Sequence, residues 1–357
     1  MQTFQELIIP SDFKEAEALL RRAGLDMPEG VTYGLGAYED GTLAATGFLA
    51  GTVVCGICVN PDYQGEGLAA AIVGRLMQHA LDQGQRHLLL FTKPVEAAKF
   101  SDIGFHRLAA TASAALLEWG RPDYRQWLAE AGTALNNCAP FCRTKEPTEF
   151  PLGAIVMNAN PFTLGHRHLV LEALGRCRRV IVFVVEEDAS SFPFTARYAL
   201  VRDGLADQER TVILPGGPYM VSRASFPSYF TGKAEHSRAH AELDCTLFAE
   251  RIAPDLGIAA RFVGEEPYCD VTASYNTIMR EILPAHGVAC VEIPRLAVGD
   301  APVSASGVRA VLREADGEDA KRALKDLVPA STAEYLASVE AKPIITRLRE
   351  QETEQRH

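Results

Sequence analysis

The sequence predicts an α/β protein of two domains, a mixed α+β domain followed by a domain built on a parallel sheet of strand order 3-2-1-4-5. Three observations carry this. From about residue 150, apolar strand-like runs alternate with helical patterns, the signature of βαβ units. Before residue 140, a hairpin signal precedes a strand, a glycine-rich loop and a long helical pattern. Between Asn136 and Pro151, prolines and charges replace periodic apolar residues, which marks a boundary. The expected parts are 1–140, 150–345 and a frayed tail, 346–357, rich in Glu, Arg and Gln.

In the first part, "SDFKEAEALLRRAG" reads as a helix. "VTYGLGAYED" and "GTLAATGFLAG" read as strands joined at Asp40-Gly41, a strong hairpin turn. "TVVCGICVN" is the next strand, and "PDYQGEGLAAAIVGRLMQHALDQG" is a loop and a helix. "HLLLFT" is a strand, and "PVEAAKFSDIGFHRL" a helix ending in a Gly-Phe turn. In the second part the strands are Ala154–Met157, Val180–Val185, Val212–Leu214, Arg261–Val263 and Ala289–Ile293. The helices are Gly165–Arg176, Thr195–Ala206, Arg238–Ile252 and Tyr275–Leu283, followed by the short helices "SGVRAVLREA" and "DAKRALKDLV".

The bulk numbers narrow the function classes. The 357 residues are 47% hydrophobic and 23% charged, a globular composition with ample core. A formal charge of −11 argues against a general nucleic-acid surface. No long apolar span or signal peptide is visible, and eight scattered cysteines form no paired framework, so a reducing cytoplasm is expected. Cys55 and Cys58 imitate a CxxC motif, but three positions apart on a strand they should face opposite sides and share no metal, unless a bulge intervenes.

Two loops carry chemistry. The first, Gln64-Gly65-Glu66-Gly67-Leu68-Ala69, fits Q/R-x-x-G-x-G/A between a strand and a helix. Its glycines let a ligand approach the backbone, and the helix amides can bind a pyrophosphate. With the hairpin before it and "HLLLFT…GF" after it, this part resembles the GNAT acetyltransferases. The resemblance implies that Val59, Gln64, Gly65, Gly67 and Ala69 bind a CoA-like group. Many GNAT enzymes place a proton-donating tyrosine in the last helix; here Phe100 holds that place and has no proton to give, which favours a holder at least as much as an acetyltransferase.

The second loop is "NANPFTLGH". A zinc site fails, because His166 and His168 lie two apart on a helix, roughly 200° around its axis. The GxxxxGK[ST] and GxGxxG phosphate loops are both missing here, so alone this is an ordinary strand-to-helix turn. Far downstream, "SASGVR" supplies Ser304, Ser306 and Arg309. Together they resemble the (H/T)xGH and ISSTxxR signatures of the nucleotidyltransferase superfamily, with its Rossmann-like fold. Thr163 and His166 can donate to phosphates at a helix N-terminus, Gly165 admits the nucleotide, and Arg309 can clamp phosphate oxygens. His166 and Arg309 are the candidate catalytic pair. For Ser304 and Ser306 the rival role is a helix cap, and for Arg309 a surface ion pair. The expected strand order puts Asn158, Asn160, Pro161 and Phe162 in one crevice with Gly264 and Glu265, where a tight turn is the equal alternative. Arg197 is a further phosphate candidate, with a surface ion pair as its alternative. ATP with Mg²⁺ is the expected cofactor pair, and no protein metal ligand is assigned.

Longer strings, "GAIVMNANPFTLGHRHLV", "FPFTARYALV", "PGGPYMVSRASFPSYF", "FVGEEP" and "EIPRL…VSASGVR", resemble the citrate lyase ligases, which join a GNAT-like domain to a nucleotidyltransferase domain. The resemblance implies an acid–thiol ligase that uses ATP and acetate to acetylate the dephospho-CoA-derived thiol of the citrate lyase acyl carrier subunit, through acetyl-AMP. Ser225, Phe226 and Tyr229 are candidates for an acetate or thiol pocket, with a packed aromatic loop as the equal alternative. Three other functions stay open: an adenylyltransferase for a free phosphopantetheine-like metabolite, a GNAT acetyltransferase with an ancillary nucleotide domain, and a non-catalytic nucleotide sensor.

Overall fold

The computed structural model describes residues 2–138, 148–186, 190–220, 233–266, 270–299 and 301–355. The chain divides into two compact units, 1–127 with 221–251, and 128–220 with 252–357. The second therefore starts ahead of the expected 136–151 interval, and a later segment belongs with the first.

The first unit opens with a strand the sequence reading passed over, β1 (Gln2–Glu6), and then α1 (Pro10–Arg22). Pro10 starts the helix, where its missing N–H costs nothing. Asp12 accepts the Ile8 and Ile9 N–H groups at 3.0 and 3.2 Å. Next come β2 (Tyr33–Glu39) and β3 (Thr42–Ala50). Asp40 and Gly41 between them both have positive φ, 49° and 80°, as the expected hairpin turn requires. β4 (Val53–Val59), α2 (Leu68–Asp82), β5 (His87–Thr92), α3 (Ala97–Ser101), β6 (His106–Ala110) and β7 (Ala115–Gly120) follow, and the division between the units falls within α4 (Tyr124–Asn137). The sheet order is β1-β2-β3-β4-β5-β7-β6. Helix α2 buries Leu68, Ile72, Val73, Leu76 and Ala80. It crosses β3 at Gly47, where a Cβ would lie 2.5 Å from Ile57 and Ile72 side-chain carbons.

A bulge in β4 corrects the reading of the two cysteines. Thr46 pairs with Cys58 and Phe48 with Cys55, with the register shifting between them. Thr46 and Phe48 are two apart and share a face of β3, so Cys55 and Cys58 share a face as well. Cys55 Sγ lies 3.7 Å from the Phe48 carbonyl oxygen, and Cys58 Sγ 3.8 Å from that of Leu19. Burial pushes the Cys55 thiol up to about 12 and raises that of Cys58, so both stay protonated and inert.

The second unit carries β8 (Phe150–Met157), α5 (Leu164–Arg176), β9 (Cys177–Val184), α6 (Phe194–Gly204) and β10 (Thr211–Pro215). Helix α7 (Lys233–Leu247) belongs with the first unit, and the second resumes with α8 (Ala253–Leu256), β11 (Ala260–Gly264), α9 (Asp270–Ala285) and β12 (Ala289–Ile293). A small hairpin, β13 (Ala297–Val298) and β14 (Ala301–Pro302), leads to α10 (Ala305–Glu314), α11 (Gly317–Leu324), α12 (Ala330–Leu336) and α13 (Lys342–Gln355). The large sheet is parallel, with order β10-β9-β8-β11-β12, the expected 3-2-1-4-5. One helical expectation changes: Arg238–Ile252 is α7 followed by a π-turn, Phe248–Ile252.

The expected frayed tail is also corrected. Helix α13 runs on to Gln355, Leu348 is 2% exposed, and Arg349 donates to the Leu312 and Ala315 carbonyls at 3.0 and 2.9 Å. Val308 and Leu312 of α10 are buried with Leu324, Val328, Leu336, Ile344 and Leu348, so this helical cluster fixes where α10 starts.

Candidate functional site: a crevice between two helix starts

In the second unit, β8 and β11 pair only at Gly153–Ala260 and Ala154–Arg261. β8 then continues beside β9 to Met157, and β11 beside β12 to Gly264. The two strands part toward their carboxyl ends, where an open parallel sheet binds ligands. Helix α5 starts in this opening. Its cap is Thr163, whose hydroxyl accepts the His166 N–H at 3.3 Å. The His166 Nδ1 in turn accepts the Thr163 N–H at 3.1 Å, with the Thr163 hydroxyl 2.9 Å from the same nitrogen. This is a capping box with histidine in the place of the usual Glu or Gln.

The box fixes the tautomer. A nitrogen that accepts a backbone N–H carries no proton, so the neutral ring holds its proton on Nε2. Burial, helped by the nearby Arg295 guanidinium, pushes the imidazole down to about 4. His166 is therefore a neutral Nε2–H donor at neutral pH. Phe162, 0% exposed, stacks on the ring with centroids 5.7 Å apart and holds its plane.

The downstream signature meets the first one here. Ser304 caps α10, its hydroxyl accepting the Gly307 N–H at 3.0 Å and lying 3.0 Å from that of Ser306. A Cβ on Gly165 would sit 2.5 Å from the Val303 carbonyl oxygen, so only glycine lets the two helix starts approach. Arg309 Nη1 donates to the Asn160 carbonyl at 2.6 Å, 149 residues away in sequence. Burial and Arg313 lower the Arg309 pKa, although a guanidinium keeps its charge. The N–H groups of Gly165, Ala305 and Ser306 have no acceptor among the described residues. Two helix starts, open amides, a neutral histidine donor and an arginine together present a set of hydrogen-bond donors whose chemistry suits an anion.

The structure revises several expected contacts. Gly165 accommodates the Val303 carbonyl, so its missing side chain serves packing first. Phe162 fills the gap left by Gly204, where a Cβ would lie 2.5 Å from its ring. With no exposure it does not reach a nucleotide, and Pro161 beside it is buried. Arg197 lies in the interior rather than on the surface. It is 0% exposed and donates to the Phe192, Asn158 and Val185 carbonyls at 3.0, 2.8 and 2.7 Å, bracing the ends of β8 and β9. Asn160 accepts the Phe192 N–H at 2.9 Å, and Asn158 shares two hydrogen bonds with Ser190. Ser304 takes the capping role that was the alternative for it. Gly264 ends β11 and Glu265 follows it, exposed, with its N–H bonded to the Ile293 carbonyl at 2.9 Å. Ser225, Phe226 and Tyr229 lie outside the described residues.

Arg295 is a crevice residue that sequence reasoning missed. The signal was its position, two residues beyond the carboxyl end of β12, inside the quoted string "EIPRL".

The first unit has an opening of its own. β4 and β5 are parallel but pair only at Val53–Leu89 and Val54–Leu90, and then splay. Between them lies a cavity of about 730 Å³, lined by Cys58, Val59, Tyr63, Lys93 and Phe100 among others. Gln64, Gly65, Gly67 and Ala69 line it too, with Val59 the five residues expected to hold a CoA-like group. Gly65 and Gly67 have φ of 90° and 76°, which only glycine adopts easily. Gly67 caps α2 with no side-chain hydrogen bond, so the helix start faces the cavity as bare backbone.

Comparison with known proteins finds two families along the chain. The citrate lyase ligase C-terminal domain family matches residues 152–336, and the acetyltransferase (GNAT) family matches residues 1–109. A citrate (pro-3S)-lyase ligase of Klebsiella pneumoniae is 38% identical over 300 residues, 82% of this chain and 83% of that protein. The protein of the same name from Escherichia coli (strain K12) is 35% identical over 307 residues, 84% of this chain and 83% of that one. That of Haemophilus influenzae is 33% identical over 328 residues, 90% of this chain and 93% of that one.

Proposed function

The chain belongs to the citrate lyase ligase family, and from that premise we propose how its two units share an ATP-dependent acetylation. The chain is an acid–thiol ligase that activates citrate lyase, and the acceptor is the thiol of a dephospho-CoA-derived arm on the acyl carrier subunit. In a first step, an acetate oxygen attacks the α-phosphorus of ATP. The new P–O bond gives acetyl-AMP, and the bond to pyrophosphate breaks. In a second step, the thiolate attacks the acetyl carbon; a C–S bond forms, the mixed anhydride opens and AMP leaves.

The observation that carries this reading is the Arg309–Asn160 hydrogen bond, which locks both signatures around one crevice. The first step develops charge on phosphate oxygens, and preorganised donors stabilise it without reorganising. His166 Nε2–H, the amides of Gly165, Ala305 and Ser306, and the Arg309 fork are such donors. The described residues include no group of three or more His, Cys, Asp or Glu side chains that could hold a metal ion. Mg²⁺ would be held mainly by phosphate oxygens and water, where it adds charge neutralisation.

The first unit would hold the CoA-like arm, its pyrophosphate at the bare start of α2 and Lys93 at the cavity wall. Phe100, 6% exposed, stands where acetyl transfer from CoA would need a proton donor, so holding is the better reading. Incubation with ATP, acetate and deacetylated citrate lyase should release AMP in step with restored lyase activity. A stable adenylylated metabolite in place of AMP would instead support a free-metabolite adenylyltransferase, and acetyl-CoA consumption without ATP would support a GNAT enzyme.

A further inference from the structure

We propose that Arg295 binds an anionic oxygen group of a substrate in the crevice, either the carboxylate of the acid or a phosphate of the nucleotide. The inference rests on the reading of the crevice as the adenylation site.

The backbone places Arg295 there. It follows β12, whose carboxyl end borders the opening beside β11. The next residue, Leu296, accepts the Val303 N–H at 2.8 Å, and the Val303 carbonyl is the group packed against Gly165, one residue before His166. The guanidinium is held on one side only. Nε donates to the Glu265 carbonyl at 2.6 Å, and Nη2 pairs with the Glu266 carboxylate. Nη1 has no acceptor among the described residues, and the side chain is 27% exposed. A guanidinium held by two anchors loses little freedom when its remaining N–H groups meet an anion, and its planar fork suits carboxylate and phosphate alike. Its charge also reaches His166, where it opposes protonation. The same residue thus supplies a cation to the substrate and adds to the burial that keeps His166 a neutral donor.

The test compares Arg295→Gln with the unaltered full chain in two measurements. One is calorimetric titration with inorganic pyrophosphate; the other is the KM for acetate in acetate-driven ATP–pyrophosphate exchange. Removing a charged hydrogen-bond donor should weaken one ligand by about tenfold to a hundredfold. Weaker pyrophosphate with an unmoved acetate KM assigns the phosphate, the reverse assigns the carboxylate, and Arg295→Lys should recover part of either loss. In a protein that melts like the unaltered one, changes under twofold in both overturn the proposal. If Arg295→Gln does not fold, Glu266→Gln decides. Glutamine keeps an acceptor for Nη2 and removes a negative charge beside the ligand, which should tighten the same ligand, and unchanged affinity for both overturns the proposal. Absence of exchange in the unaltered protein would sink the adenylation reading, while calorimetric titrations with pyrophosphate and with acetate would still report on Arg295, and affinities for both within twofold of the unaltered protein would overturn the proposal.

Discussion

The two units solve one geometric problem in different ways. In each, two neighbouring parallel strands pair briefly and then part, β4 from β5 and β8 from β11. In each, a helix begins in the opening. Helix α2 starts from Gly67 with no side-chain cap, beside a cavity of about 730 Å³. Helix α5 starts from a reciprocal Thr163–His166 box, tied by Gly165 to a second helix start and by Arg309 to the loop of the first. A bare helix start with room before it suits holding a long ligand. One crowded with fixed donors suits stabilising charge that appears during a reaction. On the proposed function the same opening serves binding in one unit and chemistry in the other, and the difference lies in the side chains around the first turn.

The largest effect should come from breaking the close approach of the two helix starts. Gly165→Val sets a side chain against the Val303 carbonyl, backbone that cannot swing aside. It should lower acetate-driven exchange by about a thousandfold, because donors from both helices move at once, and destabilise the protein by about 1–3 kcal/mol. A variant within tenfold of the unaltered enzyme would show that the approach does not matter. Next in size, His166→Ala removes one donor and half of the capping box, and exchange should fall by about a hundredfold. Normal exchange would remove His166 from the site.

A smaller effect concerns pH. The folded His166 titrates at about 4, below its ordinary value of 6.5. Between those values the unfolded chain takes up a proton that the folded chain refuses, so this site's contribution to stability is complete above 6.5 and is lost as pH falls toward 4. Denaturation midpoints of the unaltered protein and His166→Ala should converge as the pH drops through that window. Exchange should show no acid limb near 6.5, and a limb there would contradict the neutral donor.

Much of this was legible in the sequence because it rests on local pattern. Alternation of strands and helices yields the parallel sheet, and Asp40-Gly41 yields the hairpin. What stayed hidden depends on partners distant in sequence. Arg197 reads like any helix arginine until three carbonyls from separate segments surround it. Gly165 looks like a ligand-facing glycine until Val303 arrives from the other signature. Periodicity cannot reveal the β4 bulge that turns Cys55 and Cys58 to one face, because the extra residue shows only against its partner strand. Edge strand β1, with five residues and a mostly exposed burial pattern, has too little apolar alternation to announce itself.

The division of labour is tested most directly by Gly67→Trp, which blocks the cavity in the first unit and leaves the crevice untouched. Acetate-driven ATP–pyrophosphate exchange and acetylation of deacetylated citrate lyase should be measured on the same preparation. The predicted result is exchange within about twofold of the unaltered protein and acetylation reduced by about a hundredfold, since the arm loses its binding site while the adenylate still forms. Loss of both activities in a folded variant, or retention of both, would contradict the separation of holding from chemistry.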